Sequence, residues 1–221
     1  HRSMDNLGTM PLTPDAISRY VAEAEAVSDM ELQALHFLAV CFVEAHKRNP
    51  HSLSLEIGTR GGGSAELCLK LIDAIYEDPR PMLFTVDPYG CKPYGREGVP
   101  AYGNYYYLEM KKRLAGWSNH AHFYMEDAVF LRSLLRAPYW YAADKCLVQD
   151  FGFVLLDGDH TKDAVLTSLV LLEAAVVPSG LVLVDNAHEI DGVILGDRWK
   201  IHQRFASPNP MNQMALLEKQ L

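Results

Sequence analysis

Basic charge is scarce in this chain. Its 20 Lys and Arg stand against 28 Asp and Glu, a formal net charge of −8. Nucleic-acid binders need a basic face that displaces counterions, so this balance argues against a polyanionic partner. The one compact basic run, Lys111-Lys112-Arg113, reads as a solvated helix face. Long apolar runs are missing as well. No uninterrupted stretch is long enough to cross a bilayer and no signal peptide with a cleavage site opens the sequence, so the expectation is a soluble, cytoplasmic protein without a membrane partner. Cysteine is sparse: Cys41, Cys68, Cys91 and Cys146 form no C-x-x-C and no His/Cys zinc pattern, and read as reduced structural thiols. Internal repeats and low-complexity tracts are absent.

What is present fits one α/β unit. A chain of 221 residues can bury a substantial core but is short for two ordinary domains. The expected division is a remnant of cloning (His1, Arg2, Ser3) and a loose start over residues 1–12, N-terminal helices over 13–50, and a catalytic region over 51–221, all within a single domain. Thr13-Pro14-Asp15 supplies a cap, a first-turn proline and a first-turn acid for a helix reaching about Val27. Ser28-Asp29 starts a second helix, in which Leu32, Leu35, His36, Leu38, Ala39, Phe42 and Val43 recur at helical spacing. That wide apolar face needs a partner: the sheet, a substrate pocket or a second copy of the chain in a homo-oligomer.

The organising stretch is LSLEIGTRGGGSAE, residues 53–66. Leu53, Leu55 and Ile57 alternate with Ser54 and Glu56 as in a strand. The glycines that follow permit positive φ and a close approach of backbone to ligand. Ser64 fits a helix N-cap, which leaves free N–H groups at the mouth of the turn and suits a nucleotide-like cofactor. Arg60 stands where the dinucleotide fingerprint wants its second glycine, which counts against NAD. Beyond the turn, strands and helices alternate, predicting strands near 82–87, 120–126, 151–157 and 181–186 with helices between. The fold class is α/β: a Rossmann-like, doubly wound, mostly parallel sheet with helices on both faces and an added N-terminal helical segment.

Ligands in open α/β sheets lie at the carboxyl ends of the strands, and here nearly every strand ends in an acid. Asp87 follows the second strand, where it can accept both ribose hydroxyls of an adenosine or simply cap the turn before Pro88. Glu126 and Asp127 follow the third, placed to receive an adenine amino group or to cap the next helix. Asp157-Gly158-Asp159-His160 and Asp185-Asn186 bring oxygen ligands from two strand ends to one place, a set that suits Mg²⁺ better than zinc or copper.

These residues together carry a resemblance. EIGTRGGGS, TVD, LLDGDH and LVLVDNAH, in this order over about three fifths of the chain, resemble the class I S-adenosylmethionine-dependent O-methyltransferases. The likeness is to the metal-dependent catechol type and, more strongly, to the methyltransferase 24 or macrocin O-methyltransferase families. The resemblance implies a small-molecule hydroxyl substrate, a phenol or a sugar of a natural product. It implies S-adenosylmethionine held by Glu56, Gly58, Thr59, Arg60, Gly61, Ser64, Asp87, Glu126, Asp127 and Asp157. Asp157, Asp185 and Asn186 would be Mg²⁺ ligands, and His160 the base, with Asp159 as its alternative.

A cation on a substrate hydroxyl lowers its pKa, and an imidazole can then take the proton. Asp157 and Asp185 can also merely end strands, as in metal-independent methyltransferases, and a cofactor-binding module without turnover remains a further reading. His188 is either a second pocket histidine or a surface one. Arg60 either pairs with an anionic group or faces solvent. The loop over residues 87–103, with Tyr89, Tyr94 and Tyr102, is too long for an idle connector and reads as a substrate lid. In the tail, DRWKIHQRF looks helical and no hairpin signal is apparent, so the family's closing antiparallel pair is not expected in regular form.

Overall fold

The computed structural model describes residues 12–89, 104–136, 140–141, 146–147, 150–193, 195–207 and 212–220. The chain begins with helices α1 (Pro14–Glu25) and α2 (Leu32–Arg48), followed by β1 (Leu53–Ile57), α3 (Gly63–Ile75), β2 (Leu83–Val86), α4 (Asn104–Leu114), β3 (His120–Phe123) and α5 (Asp127–Arg136). A small antiparallel pair, β4 (Trp140–Tyr141) and β5 (Cys146–Leu147), precedes β6 (Phe151–Leu156), α6 (Lys162–Leu172), β7 (Val176–Asp185), β8 (Trp199–Phe205) and β9 (Met214–Lys219). The seven-stranded sheet has the order β3-β2-β1-β6-β7-β9-β8. Its first five members are parallel, and β9 is antiparallel to both β7 and β8.

Thr13 caps α1 as its sequence suggests, accepting the Ala16 N–H at 3.2 Å, with Pro14 in the first turn. The apolar face of α2 lies on the sheet. Leu35, Leu38 and Phe42 are fully buried, and Phe42 meets Phe153 edge-on at 5.1 Å between ring centroids. Along β6, Phe153 and Leu155 point toward α1, α2 and α3, while Val154 and Leu156 point toward α5 and α6. A parallel strand covered on both faces is therefore apolar throughout, with no alternation to read. In β1 all five residues are buried, so Ser54 and Glu56 face helices rather than water. Ser54 is satisfied by His46 Nε2 at 3.0 Å, and the other ring nitrogen of His46 meets the Tyr76 hydroxyl at 3.0 Å.

The tail departs from its sequence reading. DRWKIHQRF is no helix; residues 199–205 form edge strand β8, and with β9 it completes the sheet. A register shift between Ile201 and Gln203 places the two ends of β8 on opposite faces. Trp199 is buried among the α6 side's residues with its indole N–H on the Leu169 carbonyl, whereas Phe205 stacks on Phe37 of α2. A bulge of this kind breaks the two-residue period by which a strand is recognised. Strand β7 also begins earlier than expected, at Val176, and α6 ends at Leu172. Most of the loop read as a substrate lid, including Tyr94 and Tyr102, lies outside the described residues, as do Cys91 and residues 1–11. Among the described residues no helix is long and apolar enough to cross a membrane, and Cys41 and Cys68 are buried free thiols.

Candidate functional site

The order of the sheet reverses between β1 and β6, so a crevice opens at their carboxyl ends. Gly58 sits at its base. Its φ is +91°, and an added Cβ would stand 1.9 Å from the Asp157 carbonyl oxygen. Only glycine lets the two strand ends meet this closely. The turn continues through Thr59, Arg60 and Gly61 to Gly62, whose left-handed backbone (φ 81°) precedes α3.

Ser64 does not cap that helix, as the sequence suggested; it lies one residue inside it, and its hydroxyl donates to Glu56 Oε1. The physical reason is that Glu56 is itself buried and needs a donor more than the helix end does. Burial pushes the Glu56 carboxyl up to about 8, with the Ser64 hydrogen bond opposing and the Asp87 charge adding to the rise. Glu56 Oε2 and Thr59 Oγ1 are buried without a hydrogen-bond partner.

The turn is gripped from outside by residues that motif reading does not single out. Arg113 of α4 donates to the Gly61 carbonyl at 3.0 Å and pairs with Glu66 at 3.1 Å. The basic run was expected to be a solvated face, yet only Lys111 and Lys112 are exposed. Helical spacing could have separated them, because Arg113 lies three residues after the buried Met110 and next to the buried Leu114. The α1–α2 connection also packs here: a Cβ on Gly63 would stand 2.9 Å from Ser28 Cα, and Asp29 pairs with the Arg60 guanidinium at 2.9 Å. Arg60 meets the Tyr106 hydroxyl at 2.9 Å as well, so it is turned toward the helices rather than to solvent alone.

Asp87 ends β2 buried, accepting the Arg60 N–H at 2.9 Å and the Tyr89 N–H at 3.1 Å. Asp127 begins α5, where its two oxygens accept the Ala128 N–H at 2.7 Å and the Ser168 hydroxyl at 3.2 Å. The Glu126 carbonyl receives the first α5 amides, from Val129 and Phe130. The Asp127 side chain thus takes part in the helix start, one of its two readings, whereas Glu126 contributes there through its backbone carbonyl. Asp127 still borders the crevice, since a Cβ on Gly158 would come within 4.0 Å of Asp127 Oδ2.

The acids of β6 and β7 converge. Ligand atoms of Asp157, His160 and Asp185 all lie within 4.8 Å of one another, with His160 Nε2 3.9 Å from Asp157 Oδ1. Burial, and then the neighbouring Asp185 carboxylate, pushes Asp157 well above the usual carboxylate range. Asp185 is raised too, chiefly by burial, while the hydrogen bond with Asp157 and the nearby His160 hold it down. Asn186 follows in left-handed conformation (φ 53°), 2% exposed, and its Oδ1 has no hydrogen-bond partner. Two crowded carboxyls with a histidine nitrogen within reach form a set, mostly of hard oxygens, that a divalent cation would satisfy, and the orphaned Asn186 amide oxygen belongs to the residue next in the chain after Asp185.

Asp159 is exposed and accepts the Thr161 N–H at 3.0 Å, ahead of the Thr161 cap of α6. His188 pairs with Glu189 at 3.3 Å; its Nδ1 is buried without a partner. A separate cleft of about 460 Å³ at the amino ends of β2 and β3, lined by Asp78, Arg80 and Asn119, contains none of the candidate residues.

Comparison of the sequence with protein-family profiles and with curated proteins gives no match. The structure does match solved ones. An O-methyltransferase from Bacillus cereus in complex with SAH superposes with a TM-score of 0.57 at 11% identity, over 96% of this chain and 94% of that one. A provisional O-methyltransferase from Klebsiella pneumoniae gives 0.57 at 16%, over 96% and 92%. TrmN from Thermus thermophilus gives 0.58 at 13%, over 91% of this chain and 53% of its own length. The likeness at these identities is one of fold: the Rossmann-like fold of class I S-adenosylmethionine-dependent methyltransferases.

Proposed function

We propose that this chain, built on the class I methyltransferase fold, is an S-adenosylmethionine-dependent O-methyltransferase that uses a divalent cation, Mg²⁺ by preference, and acts on a hydroxyl of a small molecule such as a phenol or a natural-product sugar. The observation that carries the reading is the convergence of Asp157, His160 and Asp185 within 4.8 Å beside the glycine turn. When bound, S-adenosylmethionine supplies an electrophilic methyl group, and a divalent cation supplies positive charge that favours ionisation of an acceptor hydroxyl.

The chain's own residues do the rest. Gly58 keeps a side chain out of the place where β1 and β6 end, and Asp87 presents a carboxylate at the end of β2, where a ribose diol is read in this fold class. Asp157, Asp185 and Asn186 would hold the cation. His160 Nε2, at the rim of the same group, accepts the proton that the acceptor hydroxyl loses as its oxygen takes the methyl group; S-adenosylhomocysteine leaves as the second product. Orientation of acceptor and donor in one crevice supplies most of the rate. Support for the oxygen acceptor comes from the donor set itself, because hard carboxylate and amide oxygens favour a cation that binds oxygen ligands.

The test is thermal unfolding with S-adenosylhomocysteine or NAD, each with Mg²⁺ and with EDTA. A ligand at about 100 times its Kd adds roughly 2.7 kcal/mol, enough to move the midpoint visibly. Stabilisation by S-adenosylhomocysteine alone, with a further shift on adding Mg²⁺, is the expected result. No shift with either nucleotide overturns the proposal.

A further inference from the structure

Three residues around the glycine turn close a ring of hydrogen bonds. The Tyr89 N–H donates to Asp87 Oδ1 at 3.1 Å, the Tyr89 hydroxyl donates to the Arg60 carbonyl at 2.6 Å, and the Arg60 N–H donates to Asp87 Oδ2 at 2.9 Å. The ring joins the end of β2 to the turn after β1. Two of its three residues have left-handed backbone, Arg60 at φ 45° and Tyr89 at φ 27°, a region that L side chains leave unless their surroundings hold them there. A third strand is tied in, because the Tyr124 hydroxyl, just beyond β3, donates to the Tyr89 carbonyl.

We propose that Tyr89 is a positioning residue for the cofactor: its hydroxyl, by holding the Arg60 carbonyl and with it the left-handed backbone of Arg60, fixes the plane of the Asp87 carboxylate and the shape of the turn. This rests on the S-adenosylmethionine reading above. A carboxylate that accepts a separate backbone N–H on each oxygen cannot rotate about its own axis without breaking one of them. The Arg60 N–H and the Arg60 carbonyl lie in successive peptide planes related by the φ and ψ of Arg60. The N–H stays aimed at Asp87 only while those angles stay left-handed, and the Tyr89 hydroxyl, bound to the carbonyl, holds them there. Burial, with Asp87 beside it, pushes the phenol well above its usual range, so the group remains a donor. The ring itself is fully buried and packed against Tyr107 at 5.4 Å and His122 at 5.5 Å. Removing only the hydroxyl therefore leaves its packing in place, which makes the role separable from the core.

The experiment is calorimetric titration of the full chain with S-adenosylhomocysteine in the presence of Mg²⁺, for the wild type, Tyr89→Phe, Asp87→Asn and the double variant. Tyr89→Phe is expected to weaken binding about tenfold, and Asp87→Asn about a hundredfold. The double variant is expected to match Asp87→Asn within about threefold, because residues that act through one another lose the shared effect only once. A merely structural tyrosine would give additive losses or none, and either result overturns the proposal. If Tyr89→Phe does not fold, the same cycle with Tyr124→Phe, which removes the Tyr124 hydrogen bond to the Tyr89 carbonyl, must show the same non-additivity; additive losses there overturn it equally. Wild-type protein that fails to bind S-adenosylhomocysteine overturns the cofactor reading and this role with it. Wild type that binds beside an unaltered Tyr89→Phe overturns this role alone.

Discussion

Gly58 and Asp157 meet so closely that a Cβ on the glycine would stand 1.9 Å from the aspartate's carbonyl oxygen. The contact joins the end of β1 to the end of β6 at the point where the sheet order reverses. It also sets how far apart the glycine turn and the acidic cluster stand, because both begin at this pair. Gly58→Ala adds a steric overlap with backbone, which cannot move aside as a flexible side chain can, at a φ of +91°. Its expected cost exceeds about 3 kcal/mol. Urea denaturation of the variant checks this, and a midpoint within error of the wild type would sink the argument.

Asp185→Ala removes one carboxyl from the cluster and leaves Asp157 with His160. Turnover is expected to fall by at least about a hundredfold, equivalent to roughly 2.7 kcal/mol of transition-state stabilisation. Stimulation by Mg²⁺ should vanish with it. Initial rates with Mg²⁺ and with EDTA measure both, and retained metal dependence would move the site elsewhere.

His160→Ala tests the proton acceptor. A positioned base contributes about 10²- to 10⁴-fold, so the rate near neutrality should drop by that range and recover as pH rises and hydroxide takes over the task. A pH–rate profile parallel to that of the wild type would move the base to Asp159 or to solvent.

Burial lowers His46 to about 4, with a smaller push from His51. Below the unfolded value of about 6.5 the unfolded chain binds a proton that the native chain refuses, so this histidine's contribution is complete above that pH and is lost as pH falls toward 4. Glu56 works in the opposite sense. Raised to about 8, it stabilises fully only below its unfolded value and loses that contribution as pH climbs through 8. Whole-protein stability mixes the two, and variants separate them. His46→Gln should be less destabilising at pH 5 than at pH 7.5 by about 2 kcal/mol. Urea midpoints at the two pH values decide it; an equal loss at both would mean that His46 titrates normally.

Glu56→Gln keeps the shape and the Ser64 partner while removing the titration. Relative to wild type its stability should rise between pH 5 and 8, by up to roughly 1.4 kcal/mol per pH unit. A constant difference across that range would place the wild-type carboxyl in its ordinary state.

Much of this protein was determined by its sequence alone, wherever the signal is local. Thr13-Pro14 specifies a helix start through one hydroxyl and one fixed φ, and the structure has it. The glycines after Ile57 require backbone that side chains forbid, and Gly58 and Gly62 adopt it. Alternation of apolar strands with helices gave a parallel sheet, and the acids after β2, β6 and β7 fall at its carboxyl edge because strand ends are set by the same short pattern.

Tertiary structure decided the rest, because those features depend on which distant segments meet. Ser64 looked like a cap until β1 brought a buried Glu56 against it. Arg60 looked like a missing glycine, yet it holds a left-handed turn because Asp87 and Tyr89, just beyond the end of another strand, bind its N–H and its carbonyl. Strand β8 was hidden because a bulge between Ile201 and Gln203 turns its two ends to opposite faces, which only pairing with β9 reveals. Local chemistry fixes the parts that a few bonds can set; the register between strands, summed over many weak contacts, chooses which of those parts become neighbours.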